Sequence, residues 1–357
     1  MPIYVTRPFL PAKEEYIRRI SNIFDRCQLT NQGPELRELE GRLKNYLGVK
    51  HFHFVTNGTI ALQLALKALD VEEGEVITTP FSDVATISSI LWERCKPVFV
   101  DIEADNYTID PQKIEQAITS KTRAIMPVNV FGYACDLDAL ADIANKHNLK
   151  LIYDSAHAFG SVYNGHALSS YGDISVLSFH STKLFHTIEG GGIICKSPEI
   201  SAKLDLIKRF GHLGDNHICL GINAKQSEFH AAMGNALIDY MDEIIASRQD
   251  ISKKYDSLLK GCVERPKKQA KLRYNYAYYP VIFESEKKLK EIFTALAKKE
   301  IYARRYFYPS LNKLPYLADA SSCPIAEDIS NRIACLPIYP GLRDEDIEEI
   351  CKVIRDT

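Results

Sequence analysis

The sequence predicts an α/β protein: a mostly parallel seven-stranded sheet covered by helices, followed by a smaller C-terminal α/β domain. Three observations carry that expectation. Between residues 50 and 196, seven short β-branched or apolar runs alternate with helical ones, the pattern of strand–helix–strand units. The run TIALQLALKALD (59–70) is apolar almost all round, as a helix lying against a buried sheet must be. After Gly214 the alternation gives way to long helical periodicity and a tyrosine-rich stretch.

The strands are expected at 51–55, 75–79, 96–102, 123–132, 149–154, 174–180 and 191–196, with helices near 59–69, 84–95, 111–118 and 136–148. Asp110 followed by Pro111, and Asp136 opening DLDALADIANKHN, are start signals: an acidic cap, and in the first case a proline in the first turn. Beyond Gly214, residues 226–260 read as one long helix or two abutting ones. A strand is expected at 273–283, a helix at 285–299 and a final helix at 344–355. The domain boundary is placed between 1–235 and 236–357, with the N-terminal segment able to pack on the smaller domain.

Composition narrows the function classes. With 44 basic against 46 acidic side chains among 357 residues, the net charge is −2, and no basic block offers itself to nucleic acid or an anionic membrane. Nine dispersed cysteines without a CxxC pair read as reduced thiols in a reducing compartment. The first twenty residues carry charges where a signal peptide needs its apolar core, and no run reaches the ~18 apolar residues of a membrane span. A cytoplasmic protein is expected. Trp92 and most other aromatic residues are expected in the core.

In open parallel sheets, ligands bind beyond the carboxyl ends of the strands. The polar residues that follow predicted strands are Thr56-Asn57-Gly58-Thr59, Asp154 with His157, and Ser178 through Lys183. Taken singly, each has an ordinary reading. Asn57-Gly58-Thr59 alone reads as an ordinary helix cap with a turn glycine before it reads as an anion cradle. Asp154 is a structural cap or ion pair as readily as a functional acid, and a lone lysine is usually solvated. Together, an anion cradle, a buried carboxylate and an enclosed lysine match the demands of pyridoxal 5'-phosphate (PLP), which needs a phosphate site, a partner for its ring nitrogen and an amine for its aldehyde. No His, Cys or carboxylate set stands at metal-ligand spacing: His51 and His53 alternate with phenylalanines, and His180 and His186 lack a third ligand.

The segments LTNQGPELRELE, TNGTIALQLAL, EVITTPFSDVAT, PVFVDIEADNYTIDP, YDSAHAFG, SFHSTK, EGGG, GINAKQSEFHAAMG, ARRYFYP and LPIYPGL occur in this order. In them the sequence resembles, nearly end to end, the DegT/StrS family of nucleotide-sugar aminotransferases, within the fold type I PLP enzymes. The resemblance implies that Lys183 attaches to the cofactor's aldehyde, that Asp154 pairs with the pyridine nitrogen and that His157 bonds the phenolic oxygen. It further implies that Gly58, Thr59 and Ser178 hold the phosphate, joined by Asn223 from a neighbouring subunit, so that the active site belongs to a homodimer.

One position departs from the pattern. Most relatives carry an aromatic residue immediately before VAT, stacked on the cofactor ring; here it is Asp83. Phe81 or Tyr107 would have to compensate, and Asp83→Phe is expected to tighten cofactor retention. For the substrate, the resemblance implies L-glutamate as donor and a nucleotide-linked keto sugar as acceptor. SFHSTK is similar to the corresponding segment of enzymes acting at C4 of dTDP-4-keto-6-deoxyglucose, whereas C3 enzymes tend to a Pro-Gly pair before the lysine. The expected product is dTDP-4-amino-4,6-dideoxyglucose, for O-antigen lipopolysaccharide or a related surface glycan. UDP- or GDP-linked sugars, and a catalytically silent PLP-binding homologue, stand as alternatives. Relatives that dehydrate carry histidine at the position of Lys183. His180 and His186 flank Lys183 and are expected to line the substrate pocket. Arg304, Arg305 and Tyr306 read either as a pyrophosphate contact or as a solvated basic turn.

Overall fold

The computed structural model describes residues 2–317 and 321–357. All seven strands expected before residue 196 form one sheet: β1 (His51–Val55), β2 (Glu75–Thr78), β3 (Lys96–Phe99), β4 (Thr122–Met126), β5 (Lys150–Asp154), β6 (Ile174–Ser178) and β7 (Gly191–Cys195). Their spatial order is β1-β7-β6-β5-β4-β2-β3. Only β7 runs against its neighbours, and the other pairings are parallel. Because side chains alternate across a strand, Val76, Ala124 and Ile152 enter one apolar cluster while Ile77, Ile125, Leu151 and Tyr153 enter another on the opposite face. Burial on both faces explains why these strands read as continuous apolar runs rather than alternating ones.

Helix α1 (Gly58–Ala68) is capped by Asn57, whose side chain accepts from Ile60 N–H at 2.9 Å, and it buries Leu62, Ala65 and Leu66. Helix α2 (Val84–Trp92) is capped by Asp83, and α3 (Leu137–Lys146) by Asp136. The region at 111–118 is a 3₁₀ turn followed by the four-residue helix Ile114–Ala117. After residue 226, α4 (Glu228–Leu237) and α5 (Met241–Leu258) abut through a 3₁₀ turn. A second apolar core joins α5 to the antiparallel pair β8 (Tyr279–Ile282) and β9 (Ile333–Leu336) and to the C-terminal helix Asp344–Asp356. Residues 3–4 pair with Ile301–Tyr302, so the N-terminal segment lies on this second core.

Three expectations change. The strand expected over 273–283 survives only at Leu272–Arg273 and Tyr279–Ile282, because Tyr276 adopts φ +54° and turns the chain between them. The strand at 123–132 stops at Met126, and Phe131 takes a left-handed φ of +55° further on. Trp92 is not core: it ends α2 and is 79% exposed. All nine cysteines are free thiols and six are buried. No helix among the described residues is long and apolar enough to cross a membrane.

Candidate active site

The carboxyl ends of β1, β2, β4, β5 and β6 open into a cavity of about 510 Å³, within the usual range for small-molecule sites. Gly58, Thr59, Asp83, Asp154, His157, Ser178, His180, Lys183, Arg304 and Tyr306 all line it. The first turn of α1 faces the cavity, and its backbone N–H groups have no partner within the helix. Ser178 stands beside it at the end of β6. A Cβ built on Gly58 would lie 3.1 Å from the Ser178 Cβ, so glycine keeps the cradle open. Gly191 is needed for a related reason: a Cβ there would meet the Asn57 carbonyl oxygen at 2.4 Å.

Asp154 ends β5 and is buried. Its Oδ2 accepts from Thr86 Oγ1 at 2.8 Å and its Oδ1 from Ala156 N–H at 3.1 Å, and it makes no ion pair among the described residues. Burial pushes its carboxyl above the usual range, opposed by these two hydrogen bonds. Across the cavity, Lys183 sits in a loop closed at its neck by Phe179 N–H to Gly190 O (2.8 Å) and Thr187 N–H to Phe179 O (3.0 Å). Burial pushes the Lys183 ammonium down, while the carboxylates of Asp83 and Asp154 hold it up in part. An amine that loses its proton more readily than in water is a better nucleophile and a better base.

His157 Nδ1 accepts from Phe131 N–H at 3.1 Å. That bond requires an unprotonated Nδ1, so a neutral ring carries its proton on Nε2. Burial keeps the imidazolium well below its ordinary range, with Lys183 adding to the effect. The imidazole therefore presents a neutral N–H donor.

These features fit PLP. The glycine cradle at a helix start suits its phosphate, the buried carboxylate without a cation suits its ring nitrogen, and the enclosed amine suits its aldehyde. Among the described residues no group of three or more His, Cys, Asp or Glu side chains is placed to hold a metal ion.

Several expected residues stand elsewhere. His186 is buried and points away from the cavity, its Nε2 2.8 Å from the Phe9 carbonyl oxygen. Arg305 lies with its guanidinium 3.3 Å from the Tyr308 ring centre and bonds Glu286 and the carbonyls of Ser330 and Asn331, so it serves the second core. Asn223 is exposed and does not line the cavity of its own chain. Phe81 and Tyr107 are buried in an edge-to-face cluster with Phe131 and Phe307 and do not line the cavity. Thr86, Tyr278 and Phe307 were not singled out from the sequence. Thr86 sits one helical turn after an N-cap, a signal that was present. Tyr278 was hidden in a run of similar tyrosines.

Asp83 has a local reason to be where it is. Its Oδ1 accepts from Ala85 N–H at 2.9 Å, capping α2, the helix that presents Thr86 to Asp154. Phenylalanine cannot cap, and losing the cap costs about 1 kcal/mol. Asp83→Phe is expected to bind PLP more tightly while the apo-protein melts earlier; unchanged affinity in a cofactor titration rejects the stacking account. Asp83→Asn keeps a cap and removes the charge, so it should preserve the melting temperature.

Comparison with known proteins agrees with this geometry. Residues 11–355 match the DegT/DnrJ/EryC1/StrS aminotransferase family. The chain is 43% identical, over 99% of both chains, to a dTDP-4-amino-4,6-dideoxy-D-glucose transaminase of Shigella dysenteriae. It superposes on DesI, solved in the presence of its TDP-sugar product, with a TM-score of 0.94 at 30% identity, covering 99% of this chain and 92% of that one. A Streptococcus pneumoniae chain solved in its PLP form gives 0.93 at 27% identity, covering 100% and 98%. A cradle, a carboxylate and an amine facing one another across one cavity, in a chain matched nearly end to end, identify a PLP-dependent aminotransferase of the DegT/DnrJ/EryC1/StrS family.

Proposed function

We propose that the protein transfers the amino group of L-glutamate to C4 of a nucleotide-linked 4-keto-6-deoxy sugar, dTDP-4-keto-6-deoxyglucose, releasing 2-oxoglutarate and dTDP-4-amino-4,6-dideoxyglucose. The observation that carries this reading is the enclosed Lys183 amine sharing one cavity with the uncompensated Asp154 carboxylate. The 43% identity to a transaminase named for that product supports the choice of sugar. When bound, PLP supplies a conjugated electron sink next to the reacting carbon. Gly58, Thr59 and Ser178 would hold its phosphate. Asp154 would keep a proton on its ring nitrogen, and the His157 Nε2–H would donate to its phenolic oxygen. Lys183 Nζ would be its attachment point and, once free, would take the proton from the amino-bearing carbon of glutamate and return one to C4 of the sugar. His180, Arg304 and Tyr306 also line the cavity and would meet the sugar nucleotide.

Asn223 would complete the phosphate site of a partner copy. Exposed apolar side chains at Phe210, Ile218 and Leu220, in the segment that leads to Asn223, support a second copy covering it. Residues 1–235 and 236–357 would be the two domains of each subunit, working in the cytoplasm to supply a surface glycan such as O-antigen. The test is a visible absorption spectrum with PLP, before and after L-glutamate, beside Lys183→Ala. A cofactor band that bleaches with glutamate in the parent alone supports the donor half-reaction, and a screen of dTDP-, UDP- and GDP-linked keto sugars then identifies the acceptor. A band that glutamate leaves unchanged favours a silent PLP-binding homologue, and absence of any band rejects PLP as the cofactor.

A further inference from the structure

Two groups beside the cavity have no part in these roles. Lys183 Nζ makes one side-chain hydrogen bond among the described residues, donated to Tyr278 Oη at 3.3 Å. The Tyr278 ring is held firmly, with its centre 4.6 Å from that of His157 and 5.5 Å from that of Phe131, and edge-on to Tyr306. Its backbone is also pinned. Tyr274 Oη donates to the Tyr278 carbonyl at 3.0 Å, and Asn275 Oδ1 accepts from Ala277 N–H at 3.0 Å.

The second group is Arg248 on α5. It is 3% exposed, makes no ion pair among the described residues, and its Nε finds no acceptor. Its Nη1 donates to the Ala277 carbonyl at 3.0 Å, one residue before Tyr278. Burial pushes this guanidinium down to about 10, and the groups that face it are the phenols of Tyr278 and Tyr274. A buried cation with no carboxylate is costly.

We propose that Tyr278 Oη is the acceptor that holds the Lys183 ammonium in place, and that Arg248 is the positioning residue that fixes Tyr278 for this contact. The proposal rests on the reading of Lys183 as the proton-carrying amine. The bond runs from Lys183 Nζ to the phenol oxygen, so Tyr278 stays a neutral phenol and no bond is made or broken: it accepts from the charged amine and steadies it. Burial pushes the Tyr278 phenol up and Arg248 opposes it. Asp83, Asp154, Tyr306 and His157 also face Lys183, and Cys335, Asp83 and Asp154 also face Tyr278. Substitution at Tyr278 or Arg248 leaves these groups in place.

The test starts from apo-protein, with Lys183 acetylated by trace acetic anhydride across a pH series and read by mass spectrometry. Tyr278→Phe removes only the oxygen. A hydrogen bond from an ammonium is about twice as strong as a neutral one, so the charged amine loses more than the neutral one, and the Lys183 midpoint should fall by about one pH unit. If that variant does not fold, Tyr278→Met gives the same reading. An unshifted midpoint in a folded variant overturns the role of Tyr278. In the loaded enzyme, Arg248→Met should lower kcat about tenfold or more with KM unchanged, and Arg248→Lys should recover part of it. Equal losses in both variants, or none, overturn the role of Arg248. Failure of the parent to transaminate with glutamate would sink the proposed function, while the labelling would still report on the Tyr278–Lys183 pair.

Discussion

Lys183→Ala should fold as the parent does and lose amino transfer from L-glutamate by at least about 10³-fold, since general acid–base catalysis alone contributes about 10²–10⁴. The side chain lines the cavity and makes a single side-chain hydrogen bond among the described residues, to Tyr278, so little packing is lost. Removing an amine whose charged form is disfavoured by burial should, if anything, raise the apo-protein's melting temperature near neutral pH. A small primary amine added to the assay should restore part of the rate, because the cavity then has room for a freely diffusing base. Retention of more than a tenth of the parent rate would show that another group moves the proton.

Asp154→Asn should cost about two to three orders of magnitude in rate, the scale seen when one preorganised electrostatic group is removed from a reaction centre. Its effect on the apo-protein has the opposite sign. Burial raises the Asp154 pKa in the folded state. The ionised carboxylate therefore opposes folding at pH values above that raised pKa, and the penalty fades as pH falls through it. The asparagine variant should melt higher than the parent at neutral pH, and the difference should shrink on acidification. Equal melting temperatures at both pH values would mean that Asp154 is better solvated than its position at the end of β5 indicates. A residue that lowers apo-stability and raises activity is the expected signature of a functional site.

The large sheet was legible because strands buried on both faces must be apolar at nearly every position, and the seven runs before residue 196 are. The cavity was legible because ligands of such sheets gather at strand carboxyl ends, where Gly58, Asp154 and Ser178 stand. Tertiary choices were not. His186 and Lys183 are three residues apart in one loop, yet one ring turns to Phe9 and the other side chain to the cavity. Arg304 and Arg305 alternate in the same way, the first lining the cavity and the second stacking on Tyr308. Trp92 misled because an exposed aromatic side chain at a helix end carries the same composition signal as one in the core. Asp83 looked like a lost stacking residue because a helix cap is visible only once the start of α2 is located.

The segment at residues 3–9 works as a strap. Ile3–Tyr4 extends the edge strand Ile301–Tyr302, Tyr4 stacks on Tyr302, and the Val5 carbonyl accepts from Ile338 N–H at 3.1 Å. The same strap then crosses to the Lys183 loop, where the Phe9 carbonyl meets His186. One short length of chain thus laces the second core to the loop that carries the reactive amine. Any relative movement of the two, as substrate enters or product leaves, must either carry the strap along or break its clasp at His186. A contact far from Lys183 in sequence is thereby joined to the loop that bears it.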